Sequence, residues 1–444
     1  MKILPLLAAL TAAPYMMALD FSGNTLPAVE VTPESNSGLE NIYVLEGTSG
    51  VRMSYTATGN GTVSWKKFSR LGGAYAEDIA STQNGRTSTV TLEPGDMGYI
   101  VESEGRQHCF WIVDYSAHEL QLTALAPSAE QDCDRIRLTF TGSADEIPYY
   151  TVNGRRAILP RELELEYTTL AFDETSFVYN PVHATETLAY IAAETSAPAP
   201  LTSTTFRLSG DRFLRAWNRV QSIESPTVEP SAVAAMTEAK QDTREIDNEQ
   251  KTTEDGLGGS APVDVTFRAA VTDAAIFREW QISRSAEFDT NELTFNDLEF
   301  TYTFQEQGTA YVRFVAANAD ASCEYVGDTY EVFIGESKLE IPNAFSPETS
   351  PGVNDEWKVS YRSLISYECH IFNRWGQELF SSTDPSAGWD GKKGGKYVGP
   401  GVYYYVIQAE GADGIHYKKA GDINIIGYSE GSPTSSGDGG GSEN

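Results

Sequence analysis

The sequence predicts an all-β protein, built from tandem immunoglobulin-like β-sandwich domains and ending in a C-terminal β-sandwich. Short runs rich in β-branched and aromatic residues recur along most of the chain. Asn-Gly turn pairs, as at Asn60-Gly61 and Asn84-Gly85, separate several of these runs. Because clear helical spacing is confined to 211–217, strands dominate the prediction.

The length and charge of the chain limit its domain count and its partners. The 444 residues are enough for about three or four domains, and the formal net charge is −31. We expect no nucleic-acid partner, because phosphate binding needs a basic surface. After the first 18 residues no apolar run is long enough for a membrane helix, so no membrane-spanning segment is expected.

Residues 1–18 have the pattern of a secretory signal peptide. Lys2 gives a positive start, 3–13 form an apolar run, and Ala18 offers a small residue for cleavage. The alternative is a buried first helix, but a polar stretch at 22–38 follows at once. The pattern therefore favours export of the chain.

Residues 19–125 are predicted to form a first immunoglobulin-like domain with seven strands between 42 and 124. In its sixth strand alternate residues fall on one face, a pattern typical of an immunoglobulin-type core. These residues are Cys109, Trp111, Val113 and Tyr115. Trp65 is the expected partner across the sandwich.

Residues 126–225 are predicted to form a second immunoglobulin-like domain with a short helix. Its expected strands include 136–140, 163–171, 176–179 and 187–192. Asp211 can cap the helix, with Phe213, Leu214 and Trp217 on one side. We expect this side to pack on a neighbouring sheet; gripping a ligand is the alternative.

Residues 226–261 are predicted to be an acidic linker, although 231–240 could add an edge strand or a helix to a neighbour. The β pattern returns in 262–337. Runs at 300–304 and 308–318 resemble the last strands of the PKD domain, and 279–282 stands where that family has a Trp-Asp-Phe-Gly motif. The resemblance implies a third, PKD-like or immunoglobulin-like domain.

Residues 338–428 are predicted to form a separate β-sandwich. Its expected strands are 341–345, 357–361, 367–373, 378–381, 402–409 and 415–426. Asp413-Gly414 predicts a type I′ hairpin between the last two. The strand at 402–409 has two apolar faces and should be central, while Trp375 and Trp389 are expected to cap the two ends of the core.

Six short motifs follow one another in this stretch. They are IPNAFSP at 341–347, GVND at 352–355, IFNRWGQ at 371–377, GWDG at 388–391, PGVYYY at 400–405 and KAGDI at 419–423. In this order they resemble the gliding-motility-associated C-terminal domain, the type B sorting domain of the type IX secretion system. Residues 348–352 replace that family's Asn-Gly-Asp-Gly run and lose an acidic ligand, so we assign no metal.

The resemblance implies a route and a set of sorting-signal residues. Such proteins reach the periplasm, are recognised by the type IX machinery at the outer membrane, and end secreted or on the cell surface. The residues carried over from the motifs are Pro342, Asn343, Phe345, Asn354, Asp355, Phe372, Asn373, Arg374, Trp375, Gly376, Trp389, Asp390, Gly391, Gly401, Tyr403, Gly421 and Asp422.

The four cysteines allow three disulfide connectivities, and an exported chain meets an oxidising compartment. They are Cys109, Cys133, Cys323 and Cys369. We favour the pair Cys109–Cys133, the closest in sequence. Cys369 is expected to be a buried free thiol.

No residue pattern indicates catalysis, a cofactor or a metal. We therefore expect a non-enzymatic protein whose immunoglobulin-like domains have structural or adhesive roles, with a protein ligand possible. A surface glycan-binding protein is the alternative, with Tyr149, Tyr150 and Trp65 as its aromatic faces. An extracellular hydrolase is a weaker one. The Gly- and Ser-rich tail at 429–444 is expected to be disordered.

Overall fold

The computed structural model describes residues 19–129, 131–251, 256–347, 352 and 354–427. They form two compact units, one made of residues up to 171 and 180–232, the other of 172–179 and the residues from 233. About 53% of the chain is strand and about 3% helix, which confirms the all-β class. The predicted signal peptide at 1–18 and tail at 429–444 lie outside the described residues.

The first unit begins with a sandwich of two sheets. Its strands are β1 (Asp20–Ser22), β2 (Val29–Val31), β3 (Asn41–Leu45), β4 (Arg52–Thr56), β5 (Ser64–Phe68), β6 (Glu77–Ile79), β7 (Thr82–Asn84), β8 (Thr87–Thr91), β9 (Met97–Ser103) and β10 (Arg106–Asp114). One sheet has the order β1-β4-β8-β7 and the other β2-β3-β10-β9-β5-β6. Single turns of 3-10 helix lie at Gly73–Tyr75 and Tyr115–His118.

A second sandwich completes this unit. Its elements are β11 (Gln121–Pro127), β12 (Arg135–Ser143), β13 (Ile147–Tyr150), β14 (Arg156–Leu159), β15 (Leu163–Asp173), β16 (Val178–Leu188), β17 (Glu194–Pro198), β18 (Arg207–Gly210), α1 (Arg212–Ala216) and β19 (Gln221–Glu224). The sheets are β11-β12-β17, β13-β14 and β16-β15-β18-β19. The strand predicted at 187–192 is wrong, because β16 ends at Leu188 and β17 begins only at Glu194.

Strand β10 is buried on both faces, and the face predicted to form the core of the first sandwich packs in the second sandwich instead. Phe110 and Ile112 point into the first sandwich, where they share a core with Trp65. Cys109, Trp111, Val113 and Tyr115 point the other way and pack in the core of the second sandwich. The expectation that this second set faces Trp65 is therefore wrong. Strict alternation identified the two faces, but it could not say which face a second domain would cover.

The short helix α1 follows the predicted cap and packing. The Asp211 carboxylate accepts hydrogen bonds from the amides of Phe213 and Leu214, both at 3.1 Å. Phe213, Leu214 and Trp217 are buried, and Trp217 donates its indole N–H to the Pro27 carbonyl at 2.8 Å. The helix therefore packs its apolar side within the first unit, as expected.

The second unit contains a third sandwich. Its strands are β20 (Ala235–Gln241), β21 (Leu257–Gly259), β22 (Val263–Val271), β23 (Phe277–Ser283), β24 (Leu293–Phe295), β25 (Glu299–Phe304), β26 (Gly308–Ala317), β27 (Glu324–Val326) and β28 (Tyr330–Ile334). One sheet is β20-β22-β25 and the other β21-β28-β26-β23-β24, with β27 also paired to β26. The core centres on Phe267, Trp280 and Phe314.

The predicted acidic linker is largely part of this folded unit. Strand β20 pairs antiparallel with β22 over its whole length, which bears out the edge strand considered for 231–240. Strand β21 pairs parallel with β28. The composition suggested a linker because acidic and glycine residues are frequent, yet the backbone groups of this stretch complete two sheets.

The C-terminal sandwich follows directly. Its strands are β29 (Lys338–Glu340), β30 (Ala344–Phe345), β31 (Ser360–Arg362), β32 (Leu364–Phe372), β33 (Glu378–Ser382), β34 (Lys392–Lys393), β35 (Lys396–Tyr397), β36 (Gly401–Gly411) and β37 (His416–Ile425). The main sheet has the order β30-β37-β36-β32-β33, so β36 is internal, as its two apolar faces predicted.

The hairpin between β36 and β37 differs in type from the prediction. Gly414 has φ 75°, whereas Asp413 is not among the residues with positive φ. The Gly411 amide donates to the Ile415 carbonyl at 2.9 Å. The connection is thus a three-residue loop closed by a left-handed glycine, and not a type I′ turn, which needs positive φ at both central residues.

Candidate functional site

Several predicted sorting residues build the C-terminal core and are not exposed. Phe345 is 3% exposed and Trp389 1%, and their ring centroids lie 5.5 Å apart. Tyr403 packs its ring 5.4 Å from Trp389 and donates its hydroxyl to the Gly399 carbonyl at 2.7 Å. Burial raises the pKa of the Tyr403 phenol. These side chains therefore stabilise the core of the domain.

Two motif positions need glycine, one because of close packing and the other because of its backbone conformation. A Cβ at Gly421 would lie 2.7 Å from the Tyr405 hydroxyl, because the Tyr405 ring crosses the backbone of the next strand there. Gly391 has φ 76°, a conformation that side chains with a Cβ rarely adopt. Gly376, in the turn before β33, and Gly401, the first residue of β36, also have positive φ.

Three motif residues hold loops in place through their main-chain carbonyls. The Pro342 carbonyl accepts the Trp357 indole N–H at 2.7 Å, and the Asn343 carbonyl accepts the Asn424 amide at 2.9 Å. Asn354 has φ 57°, and its carbonyl accepts the Ser346 amide at 3.0 Å.

The three aspartates of the motifs make short local contacts. Asp355 accepts the Gly352 amide, and Asp422 accepts a side-chain N–H of Asn424 at 3.1 Å. Asp390 accepts the Lys392 amide at 3.0 Å and pairs with its ammonium at 3.1 Å. Hydrogen bonds with Tyr397 and then Asp390 raise the pKa of Lys392.

One tight turn, 373–377, presents two motif residues to solvent. The Asn373 side-chain oxygen accepts the amides of Trp375 and Gln377, each at 3.0 Å. Trp375 is 75% exposed, and the Arg374 guanidinium lies 4.2 Å from its ring centroid. The prediction that Trp375 caps the core is therefore wrong. The Asn-x-x-Gly spacing of this motif is that of a turn, which was the available signal.

A surface groove lies beside this turn, with a volume of about 700 Å³. We call it the Trp375 groove. Its lining residues are Asn373, Arg374, Trp375, Gln377, Leu379, Lys393 and 398–404. Val402 and Tyr404, which lie in the motif at 400–405 but are not among the predicted sorting residues, are 47% and 46% exposed on its wall. Phe372 is half-buried and pairs with Tyr404 across the sheet.

Two of the three aromatic residues considered for glycan binding are buried, and the third, Tyr150, is half-buried. Trp65 is 1% exposed and donates its indole N–H to the Ser88 hydroxyl at 3.0 Å. Tyr149 is 2% exposed, and Tyr150 packs against Trp111 with ring centroids 5.6 Å apart. These three residues therefore form no sugar-binding face.

The cysteine prediction is half right. Cys369 is a buried free thiol, and burial raises its pKa to about 11. Cys109 is also free and buried, so the predicted Cys109–Cys133 disulfide is wrong. The reason is the orientation of β10, because its Cys109 side chain points into the core of the second sandwich. Within the described residues, no cluster of three His, Cys, Asp or Glu side chains could hold a metal ion.

Family models match two parts of the chain. Residues 339–425 match the CHU_C type IX secretion signal domain, and 125–225 match a fibronectin type III domain. The predicted resemblance of the C-terminal stretch to a type IX sorting domain is thereby confirmed. Neither matched domain type is catalytic, and the sorting domain implies export to the cell surface or beyond.

Solved structures resemble the chain only distantly. A tetra-tandem repeat in the extending region of a large adhesion protein is 14% identical, over 86% of this chain and 97% of that one, with a TM-score of 0.21. Three N-terminal domains of the bacteriophage RB49 capsid protein Hoc are 12% identical, over 69% and 99%, with a TM-score of 0.23. These TM-scores are too low to carry an argument.

No curated protein matches the chain. In the described part of the chain, no helix has the length and apolar character needed to cross a bilayer.

Proposed function

We propose that this chain is a non-enzymatic protein that leaves the cell through the type IX system, directed by its C-terminal domain. Its route would begin with the signal peptide, pass through the periplasm and end outside the cell or on its surface. The observation that carries the proposal is the ordered set of six motifs in 341–423, in the same stretch that matches the secretion signal domain.

The immunoglobulin-like sandwiches would supply the exported function, a structural or adhesive role. Three such bodies precede the sorting domain, and most of their large aromatic side chains pack in the cores, whereas Tyr75, Tyr190 and Phe277 are exposed. The acidic composition suits a protein that must stay dispersed outside the cell.

Deletion of 338–444 tests the route in a cell that carries a type IX system. We expect the full chain in the medium or on the surface, and the truncated chain retained in the periplasm. Since Asn248 and Gln250 lose hydrogen-bond partners in the truncated chain, its folding needs checking by circular dichroism. Export of the truncated chain at the level of the full chain would refute the proposal.

A further inference from the structure

The Trp375 groove differs in charge from the rest of the molecule. The charged side chains in its lining are Arg374 and Lys393, and the lining contains no carboxylate. Neither cation forms an ion pair with any residue that the structure describes, whereas the nearby Lys392 is paired with Asp390. The Lys393 ammonium donates to the Glu378 main-chain carbonyl at 2.6 Å. In a chain of net charge −31, the groove is therefore a locally cationic site.

The groove also offers apolar surface next to these cations. Trp375, Val402 and Tyr404 are exposed to 75%, 47% and 46%, and Leu379 and Val398 are half-buried behind them. Exposed aromatic and arginine side chains around a groove are the residue types that dominate binding energy at protein interfaces. The other six tryptophans of the chain are buried, so Trp375 stands apart from them.

The turn that carries Arg374 and Trp375 is held in place before any partner arrives. Five hydrogen bonds of Asn373 close it, two through its main chain and three through its side chain, and Gly376 supplies the positive φ. A pre-formed site costs less ordering entropy on binding than a mobile loop.

We propose that the Trp375 groove binds an acidic segment of a partner protein, rich in Asp or Glu with apolar side chains between them. Carboxylates of the segment pair with Arg374 and Lys393, and its apolar side chains cover Trp375, Val402 and Tyr404. Arg374 is suited to a carboxylate because its guanidinium can bind both oxygens at once. This inference rests on the proposed function, since it names the partner chemistry of the sorting domain.

Binding is measured on the purified full chain with synthetic peptides. The probe is a short peptide rich in Glu and Leu, and its control has Lys at every Glu position. We expect the acidic peptide to change the fluorescence of Trp375, and we expect no such change in Trp375→Phe. In the double variant Arg374→Glu with Lys393→Glu, we expect the affinity for the acidic peptide to fall about tenfold or more. Oligogalacturonate, an anionic polysaccharide without apolar side chains, is the third probe. Equal responses to both peptides, or a response to oligogalacturonate alone, would overturn the proposal.

An export assay tests whether this groove takes part in sorting. The paired reversal Arg374→Glu and Lys393→Glu is compared with a matched reversal at two exposed lysines outside the groove and outside the six motifs, Lys240→Glu and Lys418→Glu. We expect about tenfold less exported protein for the groove pair and no loss for the control pair, at equal thermal stability. If deletion of 338–444 stops export but the groove pair does not, the groove proposal fails and the proposed function stands. If the deletion has no effect, both fail.

Discussion

At the scale of single residues, one buried ion pair holds the centre of the first unit. Arg161 and Asp211 are both fully buried, with Nη1 and Oδ2 2.7 Å apart. Arg161 also donates to the carbonyls of Asp145 and His118, and the Tyr115 hydroxyl donates to Asp211. Asp211 thus caps α1 and neutralises Arg161 with the same carboxylate, which ties the helix to the turn after β10.

Replacing Arg161 with Met leaves the Asp211 charge buried without its partner. We expect the free energy of unfolding of the first unit to fall by about 3–5 kcal/mol. Arg156→Met is the matched control, since Arg156 and Glu146 form an exposed pair at 3.0 Å that contributes at most about 1 kcal/mol. Urea denaturation of the full chain measures both. Equal losses for the two variants would show that the buried pair adds nothing special.

The sequence predicted one half of this pair. Asp211 was predicted as a helix cap because it directly precedes an apolar helical stripe, and the structure has that cap. Arg161 carried no signal, because its partners lie 16, 43 and 50 residues away and two of them are main-chain carbonyls. Spacing rules describe neighbours along one element, and they are silent on such distant contacts.

At the scale of elements, part of the predicted linker acts as an extra strand of the C-terminal domain. The Tyr361 amide donates to the Asn248 carbonyl at 3.1 Å, and the Gln250 amide donates to the Tyr361 carbonyl at 2.7 Å. The Asn248 side chain donates to the carbonyls of Val359 and Pro385, both at 2.8 Å. Residues 248–250 therefore cover the free edge of β31, whose other edge pairs with β29.

This edge contact makes a prediction about local stability. In Asn248→Ala with Gln250→Ala, the side-chain hydrogen bonds to 359–360 and 385 are lost, at about 1–3 kcal/mol. We expect hydrogen exchange at the Tyr361 amide to speed up, with Thr243→Ala as the control that leaves it unchanged. If exchange at Tyr361 stays at its original rate in the double variant, residues 248–250 do not protect the edge.

The elements show where sequence patterns suffice. The long strands β32, β36 and β37 of the C-terminal domain were predicted because runs of β-branched and aromatic residues lie between turn residues, and the family resemblance was predicted because six motifs occur in order. The edge segment at 248–250 was missed because its pairing uses main-chain groups and amide side chains, which leave no periodicity. The Trp375 groove was missed because the sequence marks Val402 and Tyr404 as core residues, whereas among the residues that the structure describes they are 47% and 46% exposed.

At the scale of the whole molecule, the first two sandwiches share a sheet. Residues on alternate positions of β3 and β10 enter different cores: Tyr43 and Ile112 the first, Val44 and Trp111 the second. The six-stranded sheet is therefore the middle layer of the first unit. Two domains that share a layer are expected to unfold together, unlike domains that meet at a small polar interface.

Truncating a residue on the shared face tests this coupling. Trp111→Ala removes a ring that is 1% exposed and packs against Phe68 and Tyr150, so we expect a loss of about 3–5 kcal/mol. Because the layer is shared, amides of β15 and β18, such as Leu165 and Leu208, should lose hydrogen-exchange protection together with those of β9. Tyr75→Ala, at a site 70% exposed, is the control with no change. A loss of protection that stops at the first sandwich would instead mean that the two sandwiches fold as separate bodies in spite of their common core.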